Sequence, residues 1–208
     1  MVQWSPLMIY TAIRIALYKV FCGWLKPKPI VWYEARVLCL GLDGAGKTSV
    51  LQQAADRTAS APVAPTTGFI VKTLTLPPDW KVDVWDIGGA APVRPYWTKY
   101  VTTDTRALIW VLDASDRARL EEASSALRSL LASEARLQRA PLLVLLNKAD
   151  LGGGAAVTIE EATAALGLAQ QEAVGARARH VQACSAATGQ GVAEGLEWLS
   201  STLTATFR

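Results

Sequence analysis

Residues Gly41-Leu42-Asp43-Gly44-Ala45-Gly46-Lys47-Thr48 spell G-x-x-x-x-G-K-T, a pattern that works in one setting only: a strand must run into it and a helix must leave it. Its glycines free the backbone to wrap N–H groups around phosphate oxygens, and the helix that follows offers its N-terminus to the same anion. Lys47 is spaced to reach the β and γ oxygens and the Thr48 hydroxyl to ligate Mg²⁺. Asp43, Gly44, Ala45, Gly46, Lys47, Thr48 and Ser49 are thus the phosphate-binding candidates. The flanks agree, because Arg36-Val37-Leu38-Cys39-Leu40 is an apolar run suited to a buried strand.

The same alternation continues downstream. Ala107–Leu112, Leu142–Leu146 and His180–Ala183 are expected to be strands, and Arg119–Leu131, Ile159–Leu166 and Val192–Leu203 carry helical spacing. Lys72–Leu76 and Lys81–Trp85, joined by Pro77-Pro78-Asp79, predict a hairpin instead. The expected fold is α/β, a mostly parallel sheet with one antiparallel hairpin and helices on both faces. Residues 34–208 form this domain, and residues 1–33 precede it as an extension punctuated by Lys26-Pro27-Lys28-Pro29.

Composition removes several functions. Cys22, Cys39 and Cys184 are too few and too scattered for a disulfide framework or a paired-cysteine metal site. His180 is the only histidine, which excludes His-pair metal sites and leaves a Ser/His/Asp triad one residue to route through. Of 21 Lys and Arg, four (Arg14, Lys19, Lys26, Lys28) lie in the acid-free extension, so the rest of the chain carries 17 cations against 18 acids. With no basic stripe on the body, nucleic-acid binding is not expected. The charge points to a membrane surface through residues 1–28.

Leu7–Leu25 is long enough to span a bilayer, yet Arg14 and Lys19 sit near its middle and each costs roughly 2.5 to 3.5 kcal/mol there. Thr11, Arg14 and Tyr18 share one helical face while Ile9, Ile13 and Leu17 share another, which suits a helix lying in the interface. A helix packed on a partner protein within a membrane complex fits the same pattern, and the acid-free basic start also resembles an organellar transit peptide. Val2 follows the initiator where N-myristoylation needs glycine.

Four further strings carry a resemblance. Pro65-Thr66-Thr67-Gly68-Phe69, Trp85-Asp86-Ile87-Gly88-Gly89, Asn147-Lys148-Ala149-Asp150 and Cys184-Ser185-Ala186-Ala187 follow the phosphate loop in the order of the small GTPases. With Asp43 inside that loop, Arg94-Pro95-Tyr96-Trp97 and Glu194–Leu199, residues 36–203 resemble the Arf/Arf-like branch. The resemblance implies GTP/GDP and Mg²⁺ as ligands, with Thr66 of switch I on the metal, Asp86 of switch II contacting it through water, and the Gly89 N–H on the γ-phosphate. It implies that Asn147, Lys148 and Asp150 hold guanine, Asp150 accepting from N1 and N2, with Ser185, Ala186 and Ala187 lining the base. Phe69, Trp85 and Tyr100 occupy the places of an aromatic triad read by effectors; core packing is the other reading of the three. The family's N-terminal helix docks with GDP and is released to membrane by a shift of the β-hairpin register with GTP; here the extension is longer and the Phe69-to-Trp85 spacing is one residue greater than typical.

The departure is at catalysis. Where the family places a water-orienting glutamine, this sequence has Ala90, whose methyl can neither donate nor accept. Unaided hydrolysis is therefore expected to be very slow or absent, with no catalytic residue assigned. Arg94 is open to a catalytic or a salt-bridge role. Two function classes follow: a GTP-dependent switch on the cytoplasmic face of an intracellular membrane, recruiting effectors, and a GTP-locked structural subunit of a larger, possibly organellar (mitochondrial), membrane complex.

Overall fold

The computed structural model describes Leu17 and residues 31–56, 64–151, 153–168 and 177–208; apart from Leu17, the expected helix of the extension lies outside them. The chain divides between Val31 and Trp32, and the fold that follows is that of Trp32–Arg208.

Six strands form one sheet in the order β2-β3-β1-β4-β5-β6. They are β1 (Tyr33–Leu40), β2 (Phe69–Leu76), β3 (Trp80–Ile87), β4 (Thr105–Asp113), β5 (Leu142–Asn147) and β6 (Arg179–Ala183). Among the described residues only β2 and β3 pair antiparallel, and the other four pairings are parallel. The helices are α1 (Lys47–Asp56), α2 (Leu120–Ser133), α3 (Ile159–Ala165) and α4 (Val192–Phe207). Among the described residues no helix is long and apolar enough to cross a membrane.

Strand alternation builds two cores. In β4, Ala107, Ile109 and Val111 face the layer completed by Val50 and Leu51 of α1 and by Leu196, Leu199 and Leu203 of α4. Leu108 and Trp110 face the other, with Leu127 and Leu130 of α2. Burial on both faces explains why β4 and β5 read as unbroken apolar runs.

Four elements differ from expectation. Strands β2 and β3 extend to Phe69 and Ile87, which pair with each other; the extra residues of β2 are exposed, so they show no burial alternation. Helix α4 runs four residues past Leu203, where Thr204 donates to the Ser200 carbonyl (2.9 Å) and accepts from Trp80 Nε1 (2.9 Å). Helix α3 ends at Ala165 because Gly167 turns into positive φ (67°).

Candidate nucleotide and metal site

Parallel strands deliver their carboxyl ends to one edge of the sheet, and the loops after β1, β3, β5 and β6 meet there. The loop after β1 is tight. Gly46 has φ 85°, and a Cβ on it would lie 2.3 Å from Asn147 Nδ2, so no other residue fits without displacing that amide. Gly89, arriving from β3, leaves a Cβ only 2.3 Å from the Gly41 carbonyl oxygen.

Lys47, 6% exposed, donates its ammonium to the carbonyls of Gly41 (2.9 Å) and Leu42 (2.8 Å). Burial pushes its pKa down, and the nearby Asp86 and Asp43 oppose that shift. An ammonium has three donors, so one is left for a phosphate oxygen. Beside it the Thr48 hydroxyl donates to Asp86 Oδ2 and stands 3.0 Å from the Thr66 hydroxyl. Three oxygen groups from switch I, helix α1 and the end of β3 thus meet at one point. Asp86 is fully buried, yet its Oδ1 has no hydrogen-bond partner among the described residues, and burial pushes its carboxyl above the usual range, against the Thr48 hydrogen bond and Lys47. A hard, oxygen-only donor set with an unsatisfied carboxylate oxygen fits Mg²⁺ and its waters.

The base end is held by Asn147. Its Nδ2 donates to the Ala45 carbonyl (2.9 Å), and its Oδ1 accepts from the Ala186 N–H (2.9 Å), tying the phosphate loop to the loop after β6. Ala149 N–H donates to the Cys184 carbonyl (3.1 Å). Lys148 takes a positive φ of 61°, and its ammonium lies 2.6 Å from Asp113 Oδ2; burial raises that carboxyl, but the hydrogen bonds from Lys148 and Ser115 hold it below the usual range. Asp150 and Ala187 are exposed, and Ser185 is buried, with its hydroxyl accepting from the Thr188 N–H (3.1 Å).

A cavity of about 250 Å³ is lined by Gly46, Lys47, Thr48, Thr66, Gly89 and Ala90. Ala90 therefore sits where the phosphate end opens, and Ser49 lines it too. Arg94 is committed elsewhere: Nε donates to the Gly89 carbonyl (2.8 Å), Nη1 to Glu122 (2.6 Å) and Nη2 to Asp43 (3.1 Å). The salt-bridge reading of Arg94 is the one the geometry matches. Arg119 completes the group, donating to the Asp43 carboxylate (2.9 Å), its backbone carbonyl (3.0 Å) and Glu122 (2.7 Å). Sequence reasoning missed Arg119 and Glu122; their position one turn apart at the start of a helix was visible, but not their partner Asp43, 76 residues away.

Phe69 stacks on Trp85 (5.0 Å between centroids) and tilts against Tyr100 (5.6 Å), while the Arg36 guanidinium covers Trp85 at 3.8 Å. Phe69 is 49% exposed, and Trp85 and Tyr100 are half-buried against the core. The three form one surface cluster whose inner side is core packing.

Residues 26–203 match the ADP-ribosylation factor family model. The chain is 42% identical to ADP-ribosylation factor-like protein 3 of Caenorhabditis elegans over 171 residues, covering 82% of this chain and 88% of that protein. It is 41% identical to the protein of the same name from Chlamydomonas reinhardtii over 166 residues, covering 80% and 89%. A solved structure of the Arl6 BBS3 small GTPase from Trypanosoma brucei, with the nucleotide analogue GppNp bound, superposes with a TM-score of 0.72 at 30% identity, covering 83% of this chain and 99% of that one. The ordered loops, the sheet and these likenesses agree: the chain is a small GTPase of the ADP-ribosylation factor family, built to bind guanine nucleotide.

Proposed function

We propose that this protein is an Arf-like switch that binds GTP or GDP with Mg²⁺, works at a membrane through residues 1–28, and hydrolyses GTP slowly unless a partner completes the site. The observation that carries the reading is the meeting of the Thr66 hydroxyl with Thr48 and Asp86 (3.0 Å between the threonine oxygens). A switch I threonine beside the metal-binding groups lets the presence of a γ-phosphate and its Mg²⁺ decide where that segment lies.

Each residue then has a task. Lys47 and the N–H groups of the phosphate loop neutralise the β and γ oxygens, Thr48 and Thr66 hold the metal, and Asp86 orders its water. Mg²⁺, if bound there, would supply charge neutralisation to the phosphate groups. Asn147 supports the base loops, and Asp150 pairs with guanine. Nothing at Ala90 orients the attacking water, so unaided turnover falls at or below the roughly 10⁻⁴ to 10⁻³ s⁻¹ of glutamine-bearing relatives. The cluster of Phe69, Trp85 and Tyr100 offers an effector surface.

The second reading, a GTP-locked subunit of a membrane assembly, is favoured by Ala90 together with the long hydrophobic N-terminal extension. Identification of the co-purifying nucleotide separates the two: GDP supports a cycling switch, GTP the locked subunit. Single-turnover phosphate release tests the chemistry. Ala90→Gln is expected to speed it several-fold, because the amide can accept from the water and donate toward the phosphate; fast release by the unaltered protein overturns the assignment of slow hydrolysis.

A further inference from the structure

The loops just described use one end of the sheet. The other end, where β1, β3 and β4 begin and α4 finishes, carries a different surface. Trp32, Tyr33 and Phe207 are 46%, 39% and 38% exposed there. Cations accompany them: the Arg106 guanidinium lies 4.8 Å from the Phe207 ring and that of Arg208 lies 3.7 Å from Tyr33. Lys81, second residue of β3, and Arg139, just before β5, are also exposed. Opposing acids are partly used up, since Asp79 pairs with Arg208 and Asp104 with Arg36, leaving Glu34 and Glu134 at this end.

We infer that this end of the folded unit is itself a contact for anionic lipid, with Trp32, Tyr33 and Phe207 at headgroup level and Lys81, Arg106 and Arg139 facing the lipid charge. Exposed tryptophan and tyrosine beside Lys and Arg are the residue types that settle at a membrane interface, where one part of the ring is apolar and the other wet. The acid-free extension carries four further cations of its own. Two weak contacts on one molecule bind far more tightly than either alone. The inference rests on the membrane reading above only in supposing that the same bilayer meets both.

The test is co-sedimentation of the full chain with phosphatidylcholine vesicles, with and without about one-third phosphatidylserine. Three proteins are compared: the unaltered chain, a deletion of residues 1–28, and the triple variant Lys81→Gln, Arg106→Gln, Arg139→Gln. A cation near an anionic surface is worth about 1 kcal/mol, so each neutralisation is expected to weaken binding to the anionic vesicles about fivefold, and the triple variant on the order of a hundredfold. Guanine-nucleotide affinity, read on the same preparations, is expected to stay constant and reports that the fold is intact. Unchanged vesicle binding by the triple variant overturns the inference, whether or not the deletion releases the protein. An equal loss on neutral vesicles also overturns it, because the contact is then not with lipid charge. Loss in the triple variant with binding retained by the deletion keeps the inference and removes the role given to residues 1–28.

Discussion

Asp150 stands exposed on the turn after β5, where Leu151 N–H donates back to the Lys148 carbonyl (3.0 Å) and Ala149 is held to Cys184. Its backbone is fixed while its carboxylate is free to meet a base presenting two N–H donors. A site built to hydrogen-bond such a group rejects analogues that lack it, because its own polar atoms are left unpaired. Asp150→Asn is therefore expected to weaken GTP by a hundredfold or so and to admit xanthosine triphosphate; competition against a fluorescent guanine nucleotide measures it, and unchanged base preference refutes the role. Asn147, by contrast, acts within the protein. Its amide spans Ala45 and Ala186, so the phosphate and base loops are coupled through one side chain. The motif order put both residues forward from the sequence, but this bridge spans 102 and 39 residues and belongs to the fold. The same holds for the ring cluster: the sequence left Phe69, Trp85 and Tyr100 between surface and core, and each proves to use one side for each.

Three elements meet around the Asp43 carboxylate: the phosphate loop, the segment after β3 through Arg94, and the start of α2 through Arg119 and Glu122. Glu122 is held down to about 2, first by its hydrogen bond from Arg119 and then by that from Arg94, and Arg119 likewise holds Asp43 below the usual range. These groups are substantially solvated, and such pairs contribute little individually. Their effect is geometric, since Arg94 and Arg119 fix Asp43 and Gly89 against each other. Arg119→Ala is expected to lower the midpoint of thermal unfolding only slightly while releasing nucleotide several times faster, as measured by chasing a fluorescent nucleotide; a large loss of stability with unaltered release refutes the clamp. Periodicity located β1, β4, β5 and the helices because burial leaves its mark on composition. It shortened β2, an edge strand held by backbone pairing to β3 with only Leu74 and Leu76 buried, since an exposed edge leaves no such mark.

Over the folded unit, the two cores flank a sheet whose loop edge holds the chemistry and whose opposite edge is closed by the end of α4. A ligand that binds only the folded chain stabilises it by RT ln(1 + [L]/Kd), about 2.7 kcal/mol at a hundredfold excess over Kd. Removing Mg²⁺ by chelation in the presence of GTP is therefore expected to lower the unfolding midpoint by several degrees and to make it depend on nucleotide concentration; a midpoint indifferent to both contradicts the assigned metal role of Thr48, Thr66 and Asp86.

The burial of both Lys47 and Asp86 bears on stability. A cation with a donor to spare and a carboxylate oxygen without a partner among the described residues are costly to enclose, so part of this protein's folding free energy is expected to reside in its ligand. Cells triage chains by the small fraction that is unfolded, and a difference of one or two kcal/mol changes abundance several-fold. The amount of this protein in a cell is thus expected to follow the guanine-nucleotide pool, and mutations that weaken binding are expected to appear first as faster degradation.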